Sequence, residues 1–199
     1  MAARAAPLAG GAGRALHLRA PTEEALEAAG ALIGASCARG DVLHLLGPLG
    51  AGKTTLCRAY VRTAVGDESL DVPSPTFLLK HTYDTPAGTP LAHVDLYRLD
   101  LGCAPARLEL PRCAQEGALL LEWADRLSSE DATRERLDIF INPSASDGGG
   151  DRLLTLIPAA VGRWPTRLDA FRRVLAVAED EQTAGLTEAA LSTEAEPSS

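Results

Sequence analysis

The octamer Gly47-Pro48-Leu49-Gly50-Ala51-Gly52-Lys53-Thr54 constrains the fold of this chain more than any other segment. It follows an apolar run at 42–46 and precedes residues 55–62, whose composition favours a helix. A glycine-rich turn between a strand and a helix lets consecutive backbone N–H groups face an anion, and the helix N-terminus adds its positive dipole end. The order of strand, G-x-x-x-x-G-K-T loop and helix therefore predicts a phosphate-binding loop.

Length and composition bound what else the chain can be. Its 199 residues fit one domain, and 46% hydrophobic with 23% charged residues is typical of a globular protein. The sequence contains no run of about 18 apolar residues, which is the length that would indicate a membrane span. A formal net charge of −8 argues against autonomous binding of nucleic acid, so any contact with RNA is expected through partners. The four cysteines form no C-x-x-C pair, which indicates reduced thiols rather than a zinc site.

The apolar patterning predicts a single α/β domain over 15–177 with a mixed, mostly parallel central sheet flanked by helices. Residues 1–14 are predicted to be a disordered leader or the remnant of a transit peptide, because they carry arginine and no acid. Residues 178–199 are predicted to be an acidic disordered tail, because they carry six acids and no base. Strands are expected at 15–19, 42–46, 77–83, 91–97, 118–123, 136–141 and 153–157, and helices at 22–38, after the glycine loop, and at 164–177.

Two predicted strands end in a carboxylate, at Asp95 and at Glu122. In an open α/β sheet the ligand sits at the carboxyl ends of the strands, so both acids are expected to converge on the phosphate loop. The proline-rich segment 73–76 is either a switch over the γ-phosphate or a rigid connector. The alternation of its strand places His93 on the face of Asp95, which favours a packed core histidine. Trp123 is either a core residue or an aromatic that stacks on a base or contacts a partner.

These patterns assign expected roles to named residues. Lys53, Asp95, Glu122 and Thr76 are the candidate catalytic residues, and Thr54, Glu122 and Asp95 are the candidate Mg²⁺ ligands. The nucleotide, expected to be ATP, should contact Gly47, Leu49, Gly50, Ala51, Gly52, Lys53, Thr54, Thr55 and Trp123.

The motifs GPLGAGKTTL, SPTF, HVDLYRL and LLLEWADRL, together with Tyr83, closely resemble the TsaE (YjeE) family of small P-loop ATPases over about 15–157. The resemblance implies a P-loop NTPase fold that hydrolyses Mg-ATP slowly alone and supports threonylcarbamoyl transfer to the adenosine beside the tRNA anticodon. It implies TsaD-type and TsaB-type partners, with tRNA contacted only indirectly and no membrane. The expected location is the cytoplasm of a bacterium, or the chloroplast or mitochondrion of a eukaryote. The chain departs from the family pattern over 101–113, which bears on partner contacts more than on the ATPase chemistry.

Three alternatives remain open on the sequence. A P-loop small-molecule kinase needs an arginine-bearing lid, for which Arg107 and Arg112 are the candidates. A GTPase is disfavoured because the chain has no N-K-x-D motif to read guanine. A nucleotide-binding scaffold without turnover is expected if Asp95 and Glu122 lie too far from Mg²⁺.

Overall fold

The computed structural model describes residues 15–102, 106–128, 135–144, 150–177 and 185–189. The predicted leader at 1–14 and most of the predicted tail lie outside these ranges. The strands are β1 (Leu16–Ala20), β2 (Val42–Leu46), β3 (Lys80–Asp84), β4 (Pro90–Asp95), β5 (Ala118–Glu122), β6 (Leu137–Pro143), β7 (Arg152–Pro158) and β8 (Thr187–Glu188). The helices are α1 (Glu23–Gly34), α2 (Lys53–Val65), α3 (Leu110–Glu116) and α4 (Trp164–Val177), with 3₁₀ turns at Ala106–Leu108 and Ala124–Arg126.

The described strands form one mixed sheet in the order β3-β4-β5-β2-β6-β7-β1-β8. The centre is parallel, since β5 pairs in parallel with β4 and β2, and β2 with β6. The other four pairings are antiparallel, at β3–β4, β6–β7, β1–β7 and β1–β8. The mixed sheet is therefore confirmed, but the prediction that it is mostly parallel is wrong. Two of the antiparallel pairs, β3–β4 and β6–β7, join strands that are consecutive in the chain, as in a hairpin, whereas β1 pairs with β7 and β8 from the far end of the chain.

Helices α1 and α2 pack against each other on one face of the sheet. Thr22 caps α1, since its Oγ1 accepts a hydrogen bond from the Ala25 amide at 3.2 Å. Gly30 and Gly34 lie against the backbone of α2, at Leu56 and Tyr60, where a Cβ atom would overlap it. Helix α1 ends at Gly34 rather than near residue 38 as predicted. Helix α2 ends at Val65 and is capped by Gly66, the residue predicted to end it.

Two hydrophobic cores hold the layers together. The larger core contains apolar residues of α1, α2 and α4, including the fully buried Trp164 and Tyr60. The smaller core joins β4 and β5 to the segment 106–116 through Leu108 and Leu110. In the described part of the chain, no helix combines the length and the apolar character that crossing a membrane requires.

Other predicted elements also differ from the structure, and the strand expected at 91–97 spans Pro90–Asp95. The strand expected at 77–83 starts only at Lys80, because Leu79 has a left-handed φ of 67° and Phe77 and Leu78 are exposed. Within the predicted tail, Thr187–Glu188 forms β8 against β1, and the neighbouring Leu186 is buried. This part of the tail is therefore ordered, and the rest lies outside the described residues.

Candidate nucleotide-binding and catalytic site

The phosphate loop connects β2 to α2 with backbone conformations that its glycines allow. Gly50 and Gly52 have φ values of 76° and 102°, in the left-handed region that side chains disfavour. Helix α2 starts at Lys53, so its free N–H groups face the loop. The Lys53 Nζ donates to the carbonyl oxygens of Gly47 and Pro48, both at 2.8 Å. The loop is thus closed around its own lysine.

Lys53 also contacts the indole of Trp123. Its Nζ lies 3.7 Å from the ring centroid, a cation–π geometry. Burial lowers the pKa of the Lys53 ammonium, while the carboxylates of Glu122, Asp125 and Asp95 oppose that shift. Trp123 itself holds a left-handed φ of 60° directly after β5. This conformation turns its ring from the strand toward the phosphate loop.

Glu122 is the last residue of β5 and connects two polar side chains. One carboxylate oxygen, Oε2, accepts a hydrogen bond from the Thr54 hydroxyl at 2.8 Å. The other, Oε1, lies 2.9 Å from Nε2 of His93. Glu122 is 2% exposed and His93 is fully buried, so this network is shielded from solvent on the His93 side. His93 is therefore more than a packed core residue.

Asp95 is the last residue of β4 and holds the loop 74–76. Its Oδ2 accepts from the hydroxyl of Thr76 at 2.5 Å and from that of Ser74 at 3.3 Å. Its Oδ1 accepts from the Tyr97 amide at 2.8 Å. The loop 74–76, predicted to be either a switch or a rigid connector, is therefore attached to the predicted catalytic aspartate by side-chain hydrogen bonds.

These elements enclose one cleft of about 340 Å³. The lining residues are Leu49, Gly50, Gly52, Lys53, Thr54, Thr55, Ser74, Thr76, Asp95, Tyr97, Glu122 and Trp123. The cleft brings together every predicted site residue except two. These two are Gly47, whose carbonyl accepts a hydrogen bond from Lys53, and Ala51, which is buried.

Tyr97 lines the cleft although the sequence analysis did not select it. Its ring lies 4.8 Å from that of Trp123, centroid to centroid. The available signal was its position two residues after Asp95, just beyond the strand end. Conversely, Arg107 and Arg112, the candidate lid arginines of a kinase, do not line the cleft. Arg112 is instead paired with Glu116 and Glu109 on the surface of α3.

The donor atoms facing the cleft are suited to a triphosphate and a hard cation. An ammonium group and a helix N-terminus attract phosphate, and hydroxyl and carboxylate oxygens are the ligands that Mg²⁺ prefers. The strand, loop and helix around Lys53, with carboxylates at the ends of the adjacent strands, define a P-loop nucleotide-binding protein.

Comparison with known proteins identifies the family. The family model "Threonylcarbamoyl adenosine biosynthesis protein TsaE" matches residues 20–152, and the chain belongs to the TsaE family. The chain is 33% identical over 134 residues to a "tRNA threonylcarbamoyladenosine biosynthesis protein TsaE" of Streptomyces coelicolor, covering 64% of this chain and 85% of the relative. It is 36% identical over 132 residues to the Bacillus subtilis protein of the same name, covering 66% and 80%.

A solved structure agrees with this assignment. The crystal structure of Bacillus subtilis YdiB superposes with a TM-score of 0.62 at 29% identity, covering 80% of this chain and 95% of that one. The predicted P-loop fold is thereby confirmed, as is a role of the family in threonylcarbamoyladenosine biosynthesis on tRNA.

Proposed function

We propose that this protein binds Mg-ATP in the cleft and hydrolyses it, and that turnover supports threonylcarbamoyl transfer to the adenosine next to the anticodon. The proposal is supported above all by one cleft that contains both phosphate-binding groups and carboxylates. Lys53 and Thr54 stand at the phosphate loop, and the carboxylates of Asp95 and Glu122 face them from the ends of two neighbouring strands.

The side chains divide into binding and orienting groups. Lys53 has to exchange its bonds to Gly47 and Pro48 for the β- and γ-phosphates, which satisfies a buried ammonium with stronger partners. The nucleotide phosphates lie along the loop from Leu49 to Thr55, and Trp123 flanks them. Asp95 and Thr76 form a hydrogen-bonded pair that can orient the attacking water.

The residues present fit a magnesium ion. Thr54, Glu122 and Asp95 offer hard oxygen donors, and Glu122 already contacts the Thr54 hydroxyl at 2.8 Å. When bound, Mg²⁺ neutralises charge on the β- and γ-phosphates. The carboxylates of Asp95 and Glu122 are 3% and 2% exposed, and a cation between them would offset the cost of burying both charges.

An exposed apolar surface at the mouth of the cleft supports the involvement of protein partners. We call Leu49, Phe77, Leu78 and Tyr97 the cleft rim: all four are exposed, Phe77 at 81%, and Phe77 and Leu78 directly follow Thr76, which lines the cleft. Two rim members, Leu49 and Tyr97, also line the cleft. A partner on this rim would contact both the nucleotide and the loop that Asp95 holds. We assign this role to TsaD-type and TsaB-type proteins, with tRNA contacted only through them.

The relatives named above are bacterial, and we propose a cytoplasmic location for this chain if its source is bacterial. In a eukaryote the proposed location is the chloroplast or mitochondrion.

The test is ATP turnover in a complex reconstituted with TsaD-type and TsaB-type proteins. Lys53→Ala and Asp95→Asn should each abolish turnover and threonylcarbamoyladenosine formation. Asp84→Asn, at the exposed end of β3, serves as the matched control and should retain both. Turnover retained in both cleft variants would contradict the proposal. Phosphate transfer to a nucleoside or sugar acceptor, with no effect on tRNA, would support a kinase instead.

The rim assignment has its own test. Phe77→Ser should lower the stimulation of ATP turnover by the partners while leaving basal turnover intact. Val177→Ser is the control, because Val177 is 83% exposed at the end of α4 and does not line the cleft. Equal stimulation of both variants would contradict partner docking on the rim.

A further inference from the structure

The hydrogen bond between His93 and Glu122 indicates how the Glu122 carboxylate is oriented in the site. Glu122 has two carboxylate oxygens and two different partners, the Thr54 hydroxyl on Oε2 and the His93 imidazole on Oε1. Each bond fixes one oxygen, so the plane of the carboxylate is determined by His93 on one side and Thr54 on the other. A group fixed at both oxygens cannot rotate about its last torsion.

The sheet places these two residues in reach of each other. Strands β4 and β5 are parallel, with Asp95 opposite Glu122 and His93 opposite Leu120. His93 and Glu122 are thus diagonal neighbours, two residues apart in register on the same face of the sheet. Strand β4 therefore supplies both Asp95, which holds the loop 74–76, and His93, which holds Glu122.

The direction of the bond follows from the burial of the imidazole. An ionised carboxylate only accepts hydrogen bonds, so the proton lies on Nε2 of His93. The other ring nitrogen, Nδ1, is buried and has no hydrogen-bond partner among the residues that the structure describes. A buried lone pair costs less than a buried N–H without an acceptor, which favours placing the hydrogen on Nε2 rather than on Nδ1.

Water cannot replace this bond. His93 and Cys57 are fully buried, and the donor atoms of Cys57, His93 and Glu122 all lie within 4.8 Å of one another. Cys57 of α2 therefore covers the pair from the helix side. Loss of the imidazole would leave one oxygen of Glu122 without a partner in a space closed to solvent.

We propose that His93 is a positioning residue for ATP hydrolysis: its Nε2–H fixes the Glu122 carboxylate so that the opposite oxygen faces Thr54. This role rests on the proposed ATPase function. It adds to that function a residue that contacts neither the nucleotide nor the cation. Groups that orient a metal-site carboxylate typically change activity by about 10-fold to 100-fold when they are removed.

The experiment uses two amide variants of the full chain in the reconstituted complex. His93→Gln places an amide N–H near the position of Nε2, whereas His93→Asn ends near the position of Nδ1 and cannot reach Glu122. We expect His93→Asn to lower kcat about 10-fold to 100-fold, with KM for ATP within about twofold of wild type. His93→Gln should recover most of that loss. Equal loss in both variants, or a loss confined to KM, would overturn the proposal.

A second measurement does not depend on turnover or on the variants folding. Nitrogen-15 NMR of histidine-labelled wild-type protein should show hydrogen on Nε2 and none on Nδ1 of His93. Hydrogen found on Nδ1 alone would overturn the proposal, because Nε2 could then not donate to Glu122. If the tautomer is as expected but the wild-type complex hydrolyses no ATP, the proposed ATPase function fails while the geometry of the pair stands. The positioning role in hydrolysis is then overturned with it.

Discussion

The contact between α1 and α2 gives a prediction in which two physical effects oppose each other. Gly30 lies in the middle of α1, where alanine is favoured over glycine by about 0.5–1 kcal/mol. Helix propensity alone therefore predicts that Gly30→Ala stabilises the protein. A methyl group at Gly30, however, would overlap the carbonyl oxygen of Leu56 and meet the Cβ atom of Ala59 at 3.0 Å.

The overlap is with backbone, which cannot rotate away as a side chain can. To restore ordinary van der Waals contact, α2 has to move away from α1 by on the order of 1 Å. Overpacking of this kind costs about 1–3 kcal/mol, and more when a rigid neighbour has to move. Subtracting the gain in propensity of about 0.5–1 kcal/mol leaves a net loss of up to about 2.5 kcal/mol, or up to about 10 °C in Tm for a chain of this size.

The same displacement should reach the site, because α2 begins with Lys53 and Thr54. A misplacement of about 1 Å at reacting groups can lower activity about 100-fold. The assay is urea denaturation together with ATP turnover in the reconstituted complex. Ala28→Gly, at a half-buried position of the same helix, measures the propensity contribution alone. A rise in the free energy of unfolding for Gly30→Ala would refute the close helix contact.

Two further predictions concern the cleft and the sheet. The chain has two tryptophans, and Trp164 is fully buried in the core, so Mg-ATP should change the intrinsic fluorescence through Trp123 as Lys53 leaves its ring. The change should persist in Trp164→Phe and vanish in Trp123→Phe, and the opposite pattern would contradict the cation–π arrangement. For Asp138, burial acts to raise the pKa, but hydrogen bonds from His44 and Arg136 outweigh it and hold the pKa below the ordinary 3.8. Its stabilising contribution is therefore present above pH 3.8 and lost as the pH falls through the lowered pKa. Asp138→Asn should reduce the free energy of unfolding by about 1–2 kcal/mol at pH 7, with the difference narrowing below pH 3.8. A difference that stays constant across this range in denaturant titrations would contradict the assignment.

Local sequence signals were sufficient for the elements that carry the phosphate site. An apolar run predicts strand β2, and the glycine loop that follows it predicts the start of α2 at Lys53. The helix-ending glycine, Gly66, predicts where α2 stops. Helix α4 follows in the same way from the spacing of Leu168 and Phe171. In these segments local preference and tertiary packing agree.

The elements that the sequence did not predict depend on contacts between distant segments. The apolar character of Phe77 and Leu78 predicts a strand, but both residues lie in an exposed loop. Asp95 holds this loop through its hydrogen bond with Thr76. Strand β8 has no apolar run of its own and is ordered by pairing with β1. The partnership of His93 with Glu122 joins residues 29 apart through strand register, which a single sequence does not reveal.

The central claim is that one cleft holds Mg-ATP between the phosphate loop and two strand-end carboxylates. A crystal structure of the protein with Mg²⁺ and a non-hydrolysable ATP analogue tests it most directly. We expect Lys53 Nζ on the β- and γ-phosphates, with Thr54 and at least one of Glu122 and Asp95 bound to Mg²⁺ directly or through one water. A structure in which both carboxylates lie beyond water-mediated reach of Mg²⁺ and of the γ-phosphate would contradict it, and would describe a nucleotide-binding scaffold.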